Sequence, residues 1–419
     1  MKRVAEIRSS DKCRVLTFDD IFLPSHEGSG KNRIDYLHVQ DLLSFGKSTD
    51  FYFGNLNVLI GPNGTGKSNL IDCLKVAQSL PFDISENFKD TSLEDWIYKG
   101  ESDGLQQPSL SISIVNQEFG PILHQISFIG SRYNKVFIEE IITDDGGNNS
   151  EPYFISSAEN EPMITYIGAR GQKRQREFPA REYNTSQSIL NQVRDSTQYP
   201  EITAITQFYS SMRFYSEWTF GRKSVLRNPS SLSNSEDYLN ESMDNLALVL
   251  DSLRGSSSHE KIRAYLIDLK DSYRDYSTSA RFSQMILEIV EGGLSSKIPA
   301  HRLSDGTLRF LALASILLNT NLPSVICLEE PELGMHPDMI RMVSRMIVEA
   351  SKNTQLIVTT HSELLLTALQ DDIDQIFVFS SGPDGTSVRS FQKEDFKEWI
   401  ADHSLGELWS TGELGGNRW

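Results

Sequence analysis

The sequence is poor in cysteine, with only Cys13, Cys73 and Cys327 among 419 residues. Their spacing matches no zinc site and no disulfide framework, so neither is expected to staple the chain. Such sparse usage predicts a reducing, cytoplasmic setting. Long apolar runs are lacking as well. The longest, Phe310 to Leu318, falls well short of the ~20 residues that span a bilayer. Glu6 and Arg8 follow Met1-Lys2-Arg3-Val4 where a secretion signal would place its apolar core, so no signal peptide is expected. Basic residues are outnumbered, 40 Lys and Arg against 57 Asp and Glu, for a net charge of -17. That charge excludes a nucleic-acid surface over most of the protein and disfavours anionic lipid, but leaves room for a local basic groove. Internal repeats and sustained heptads are absent, which excludes solenoids and long coiled-coil arms.

What remains is an ordinary globular composition, 38% hydrophobic and 23% charged, in a chain long enough for about two to three domain-sized units. Four regions are expected. Residues 1–33 form a polar N-terminal extension ending in Gly28-Ser29-Gly30-Lys31. Residues 34–184 begin with short strands (Asp35–Val39, Phe51–Phe53, Leu56–Ile60), continue through a helix over Asn69–Leu80 that Pro81 stops, and hold alternating runs over 109–141 that predict antiparallel strands. Asp144 to Asn149 reads as a turn or loop. Residues 185–295 read as mainly helical, from apolar stripes over Ser186–Val193, Asn245–Leu253 and Glu260–Leu269, with a loop over Asn228–Asp237. In 296–419 the strand–helix pattern returns. It ends in a hairpin (Gln375–Phe379 and Ser387–Phe391, turning at Gly382–Gly385), a helix over Lys393–Asp402 and a polar tail.

Four segments carry chemistry. Gly61-Pro62-Asn63-Gly64-Thr65-Gly66-Lys67-Ser68 fits the pattern of a loop that cradles phosphates, with Asn69 opening the helix beyond it. Its glycines let backbone N–H groups converge on phosphate oxygens, Lys67 can reach the β- and γ-phosphates, and Ser68 can ligate Mg²⁺. A chance glycine loop is the competing reading, and the apolar strand before and amphipathic helix after argue against it. Val325 to Glu330 is an apolar strand that ends in two acids, where ligands sit in open α/β sheets. Glu329 is placed to hold Mg²⁺, and Glu330 to polarise an attacking water. Leu303-Ser304-Asp305-Gly306-Thr307 precedes an apolar helix. Ser304 reads as its N-cap, and Asp305 and Gly306 complete a second helix start able to take an anion; plain capping is the alternative. Leu356 to Ser362 is a strand that ends in His361, either a structural histidine or a sensor of the terminal phosphate. The intervals leave one helix between Gly306 and Val325 and another between Glu330 and Leu356, which predicts successive units of one parallel sheet.

This order resembles that of ABC-type ATPases, and most of all their RecF/SMC/OLD-like branch, which includes bacterial AAA family ATPases. Gly61–Ser68 resembles Walker A, Leu303–Thr307 the signature loop, Ile326–Glu330 Walker B with the catalytic glutamate, Pro331–Pro337 the D-loop and His361 the H-switch. The tail from Gly412 to Trp419 is also similar to the end of one bacterial family. The resemblance implies an α/β ATPase head with an antiparallel β subdomain and a helical insertion. It implies ATP and Mg²⁺ as ligands, and Glu330, His361 and Lys67 as catalytic residues. It further implies a homodimer in which Ser304 and Gly306 of one head meet the γ-phosphate held by the other. Two departures stand out: Glu329 occupies a position that is often Asp, and the Q-loop glutamine has no clear candidate among Gln106, Gln107 and Gln117.

The biological role is less constrained. One reading is a nucleotide-driven regulator of a bacterial defence or stress system. Residues 362–419 are too few for a nuclease domain, so any nuclease-like effector is expected to act in trans, and Asp371-Asp372-Ile373-Asp374 reads as a solvated turn. The other is a RecF-like repair factor that clamps DNA itself. The basic run from Arg170 through Lys173, Arg174 and Arg176 to Arg181 is its only support, and a solvated loop or an acidic protein partner fits that run equally. The aromatic group Phe208, Tyr209, Phe214, Tyr215, Trp218 and Phe220 reads as core. A transporter ATPase is disfavoured.

Overall fold

The structure is a computed structural model that describes residues 32–100, 106–132, 135–144, 151–157, 160–179, 182–395 and 403–415. Cys13 and nearly all of the expected extension lie outside these residues. So do Arg181, the 145–150 loop, most of the expected 393–402 helix and the end of the tail.

The chain builds two large sheets. The first is antiparallel throughout, ordered β2-β1-β4-β5-β6-β7-β8-β9. Its strands are β1 (Arg33–Gln40), β2 (Thr49–Tyr52), β4 (Ser109–Asn116), β5 (Gly120–Arg132), β6 (Lys135–Asp144), β7 (Phe154–Ser157), β8 (Asn160–Ile167) and β9 (Lys173–Glu177). The second runs β10-β15-β16-β3-β17-β18, with β3 (Leu56–Ile60), β10 (Arg213–Tyr215), β15 (Val325–Glu329), β16 (Gln355–Thr359), β17 (Gln375–Gly382) and β18 (Gly385–Gln392). It is parallel up to β17, and β18 folds back antiparallel. The parallel sheet expected from the motif spacing is therefore present.

Ten helices connect and cover the sheets in the described residues. They are α1 (Lys67–Ser79), α2 (Leu93–Trp96), α3 (Ile189–Gln192), α4 (Pro200–Ser211), α5 (Leu246–Ser252), α6 (Ser257–Leu269), α7 (Asp305–Leu317), α8 (Pro337–Ser351), α9 (Glu363–Leu369) and α10 (Leu405–Ser410).

The parallel strands read as unbroken apolar runs because both faces are buried. Val58, Ile326, Leu328, Leu356, Val358, Ile376 and Val378 join a core with α5 to α10. Leu59, Val325, Cys327, Ile357, Phe377 and Phe379 point the other way, into a core with α1, α4 and the antiparallel sheet. Cys73 and Cys327 are buried and free, and burial raises both thiols far above their ordinary range.

The stretch 185–295 departs from its mainly helical expectation. It contains α3 to α6, but it also sends β10 into the parallel sheet and folds β12 (Tyr273–Arg281) and β13 (Gln284–Glu291) into a hairpin. Short strands β11 (Ser230–Ser231) and β14 (Ile298–Pro299) pair with β13. β12 was obscured by its polar composition, since only Tyr273, Tyr276, Ser277 and Thr278 turn inward. No helix among the described residues is long and apolar enough to cross a membrane.

Candidate functional site

A cleft of about 350 Å³ opens where β3, β15 and β16 end, and it gathers three of the four motifs. The loop after β3 and the start of α1 supply Asn63, Gly64, Gly66, Lys67, Ser68 and Asn69; the end of β15 and the residue after it supply Glu329 and Glu330; the end of β16 and the turn after it supply Thr359 and His361. Gly61, Pro62 and Thr65 shape the loop without appearing in that lining. Thr65 Oγ1 donates to Pro62 O at 2.8 Å, and Gly61 packs on the backbone of Phe379.

Glycine is required at Gly66 on two counts. Its φ is +106°, and a Cβ there would stand 2.3 Å from Thr386 Oγ1 and 2.7 Å from Ser44 Oγ. This glycine opens α1 with no side-chain cap and no acid in the first turn. The first N–H groups and the positive end of the helix therefore remain free for an anion. Lys67 Nζ folds back onto Gly61 O at 2.6 Å and Pro62 O at 3.1 Å. Burial pushes its ammonium below the ordinary lysine range, while the charges of Glu330 and Glu329 pull it back up. Phosphate oxygens offered at the same loop would supply the negative partners that those carbonyls only approximate.

Burial raises the Glu329 carboxyl, opposed by a hydrogen bond from Ser68. A hydroxyl and a carboxylate held together at a phosphate loop are the hard oxygen donors that Mg²⁺ takes alongside phosphates and water. These residues fit the ion. The backbone of Glu330 is left-handed, with φ +44°, and its N–H donates to Thr359 O at 3.0 Å. Its carboxylate lies 3.6 Å from His361 Nε2. Burial, then the charge of Lys67, depresses His361 below the ordinary 6.5. The ring is therefore neutral at pH 7, able to donate from one nitrogen and accept at the other.

The residues expected to form a signature loop lie elsewhere. Ser304 caps α7, accepting from Thr307 N at 3.1 Å. Asp305 is clamped by Arg227 Nη2 at 2.5 Å and Gly221 N at 2.9 Å, and these two hold its carboxyl below the usual range. Gly306 faces Met339. None of the three lines the cleft.

Several residues escaped the sequence reading. Ser216, Trp218 and Leu333 complete the cleft wall, and Trp218 Nε1 donates to Glu329 O at 2.7 Å. The aromatic group divides: Phe208, Tyr209, Phe214 and Tyr215 are core, whereas Phe220 is 43% exposed. The three candidate glutamines stay out of the cleft. Gln106 donates to Tyr98 O, and Gln107 and Gln117 are held through their backbones by Asp41 and Asn32. Lys173, Arg174 and Arg176 of the basic run lie on strand β9 and Arg170 in the turn before it, and the charge is partly spent internally: Lys173 pairs with Glu201 at 2.6 Å and Arg176 donates to Tyr199 Oη at 2.8 Å. Asp374 accepts from Asn55 N and Leu56 N and so fixes the start of β3.

A family model described as "AAA domain, putative AbiEii toxin, Type IV TA system" matches residues 56–367. Comparison with curated proteins finds no match. Among solved structures, an SMC head bound to the C-terminal winged-helix domain of ScpA is similar at TM-score 0.56 and 12% identity, over 88% of this chain and 99% of that one. The Pyrococcus furiosus Smc head with an extended coiled coil, bound to the C-terminal domain of ScpA, is similar at 0.52 and 13%, with the same two coverages. The Pyrococcus yayanosii Smc head with a coiled coil and joint scores 0.50 at 10% identity, again over 88% and 99%. The fold is thus that of an SMC head, and the chain belongs to the matched AAA-domain family.

Proposed function

We propose that the chain binds ATP with Mg²⁺ in this cleft and hydrolyses it. The observation that carries the reading is the convergence of Lys67, Ser68, Glu329, Glu330 and His361 from three separate strand ends onto one cavity. The loop N–H groups and Lys67 take the phosphates; Ser68 and Glu329 would hold Mg²⁺, which would supply neutralising charge for the phosphates. Glu330 accepts hydrogen bonding from the attacking water and takes its proton. Neutral His361, next to that carboxylate, orients water and terminal phosphate. On this reading Asn63, Gly64 and Asn69 belong to the binding loop.

The site closes between two heads of a homodimer, with Ser304, Asp305 and Gly306 of one head facing the nucleotide of the other. What supports this is their exclusion from their own cleft, combined with a second helix start at α7. The nucleotide state then regulates a separate effector in a bacterial defence or stress system. The family description, which names a toxin of a type IV toxin–antitoxin system, supports such a role.

Lys67→Ala should abolish triphosphate binding in equilibrium titration without lowering stability, because a partly desolvated ammonium is removed. Undiminished ATP affinity in that variant would overturn the site. The purified protein should not cleave DNA with any divalent metal; robust cleavage would place the effector activity in this chain.

A further inference from the structure

We propose that Arg309 is a positioning residue that makes Glu330 answer to the signature turn of its own chain. The proposal rests on the hydrolytic reading above.

Arg309 sits on α7 one helical turn beyond Asp305 and is 2% exposed. Its Nη2 donates to Glu330 O at 2.5 Å, and its Nη1 donates to Leu333 O. The two peptide groups that flank the Glu330 Cα are therefore both held, the preceding one by β16 at its N–H and the following one by Arg309 at its carbonyl. A left-handed glutamate persists only under such constraint. Releasing the carbonyl lets residue 330 relax to an ordinary conformation and swings its carboxylate off its present line.

The guanidinium is itself held between two rings, 4.2 Å from the Trp218 centroid and 5.2 Å from that of Phe220. The same segment holds both ends of the link. Trp218 Nε1 fixes the Glu329 carbonyl, Gly221 N fixes the Asp305 carboxylate, and Arg227 Nη1 donates to Leu303 O at 2.7 Å. Displacement of Ser304–Gly306 therefore moves Arg309 with the rigid first turns of α7, and Arg309 moves the Glu330 peptide.

Two unpartnered groups give this link a second arrangement. Arg309 Nε and Glu332 Oε2 are both buried and unpartnered. They are a donor and an acceptor, and the Glu332 charge already acts on the guanidinium. The other Glu332 oxygen accepts from Thr360 Oγ1 at 2.5 Å and His361 N at 3.2 Å. A shift of α7 that joins Nε to Oε2 would satisfy both groups and tie the signature helix to the His361 backbone as well.

The test uses the full chain with Arg309→Met, Glu332→Gln and the double variant, measuring kcat, KM, equilibrium affinity for a fluorescent ATP analogue, and the melting curve. Arg309→Met should lower kcat by about tenfold or more while analogue affinity stays within about threefold, the signature of an interaction needed only in the transition state. Glu332→Gln should also lower kcat, and the double variant should lose no more than Arg309→Met alone. A folded Arg309→Met protein with wild-type kcat overturns the proposal. Should that variant fail to fold, isosteric Glu332→Gln decides, and wild-type kcat there overturns it. Failure of the hydrolytic reading looks different: the wild type would show no turnover, or Glu330→Gln would keep it all, and the inference would fall with it.

Discussion

Replacing Glu330 by Gln isolates the proton-accepting role of one oxygen. The backbone at 330 is set by Thr359 and Arg309 and not by its own carboxylate, so the isosteric amide should occupy the same place. Among the described residues its carboxylate approaches one side-chain nitrogen, Nε2 of the neutral His361 ring at 3.6 Å, a contact long enough that its loss costs little stability. A positioned general base contributes about 10²–10⁴ in rate, or about 2.7–5.4 kcal/mol of barrier at 1.36 kcal/mol per decade. Binding should move the opposite way. Removing one of two carboxylates beside an incoming triphosphate relieves repulsion of about 1.5–3 kcal/mol, taking charges ~5–6 Å apart in an effective dielectric of ~20–40. The Glu329 charge still supports Lys67. The variant should therefore hydrolyse ATP at least about 100-fold more slowly in single turnover yet bind it more tightly by titration. It should also accumulate an ATP-dependent dimer in light scattering. Wild-type turnover would refute the base assignment. Slow turnover with binding lost would instead mark Glu330 as part of the structural frame.

Other groups in the molecule carry further expectations. His361 titrates below 6.5, so kcat should fall as pH drops through an acid limb beneath that value, and His361→Gln should remove the limb. Its stability linkage has the same sign: the unfolded chain takes the proton first, so stability is complete above 6.5 and declines as pH falls toward the folded value, a slope His361→Gln should flatten in melting curves. Gly66→Ala places a methyl 2.3 Å from Thr386 Oγ1 at φ +106° and should cost about 2–5 kcal/mol in denaturant unfolding; a neutral result would mean that the loop relaxes freely. Glu140 is fully buried and accepts from Ser188 Oγ, Ile189 N and His124 Nε2. Glu140→Ala should lower stability by about 3–5 kcal/mol without changing ATP affinity, and an unshifted denaturation midpoint would contradict that network.

The parts of the molecule legible in the sequence are those where the backbone leaves a chemical mark. Gly61–Ser68 is written in glycines because positive φ and close packing forbid a Cβ at Gly66. The ends of β15 and β16 are visible because a strand buried on both faces stops abruptly at Glu329–Glu330 and at His361. The hairpin of β17 and β18 was marked by Gly382 and Gly385, which pair across its turn. The β12–β13 turn lacks such a mark, since Phe282 takes φ +52° without glycine or asparagine. β10 is three residues long and is a strand only because β15 lies beside it. Trp218, Arg309 and Glu332 were hidden for a related reason. Their roles depend on groups brought from far along the chain, and neither spacing nor residue type records that.

The charge balance of the cleft argues for a contribution from outside it. Among its lining residues Lys67 is the single cation, set against the carboxylates of Glu329 and Glu330. A triphosphate adds several more negative charges. The uncapped start of α1 offsets only part of this, since a helix end carries about half a unit charge. Mg²⁺ held by Ser68 and Glu329 would offset a further part of it. A second helix start is the least costly supplement, because its dipole needs no desolvated counter-charge of its own. The start of α7 would be a poor one if Asp305 stood bare in its first turn. Arg227 and Gly221 instead hold that carboxylate, muting its repulsion while Ser304 stays exposed at the surface. On the proposed reading this is why α7 waits outside its own cleft. Arg227→Ala, which bares Asp305, should then weaken ATP-dependent dimerisation more than it weakens ATP binding to the isolated head, and equal loss of both would deny the second helix this task.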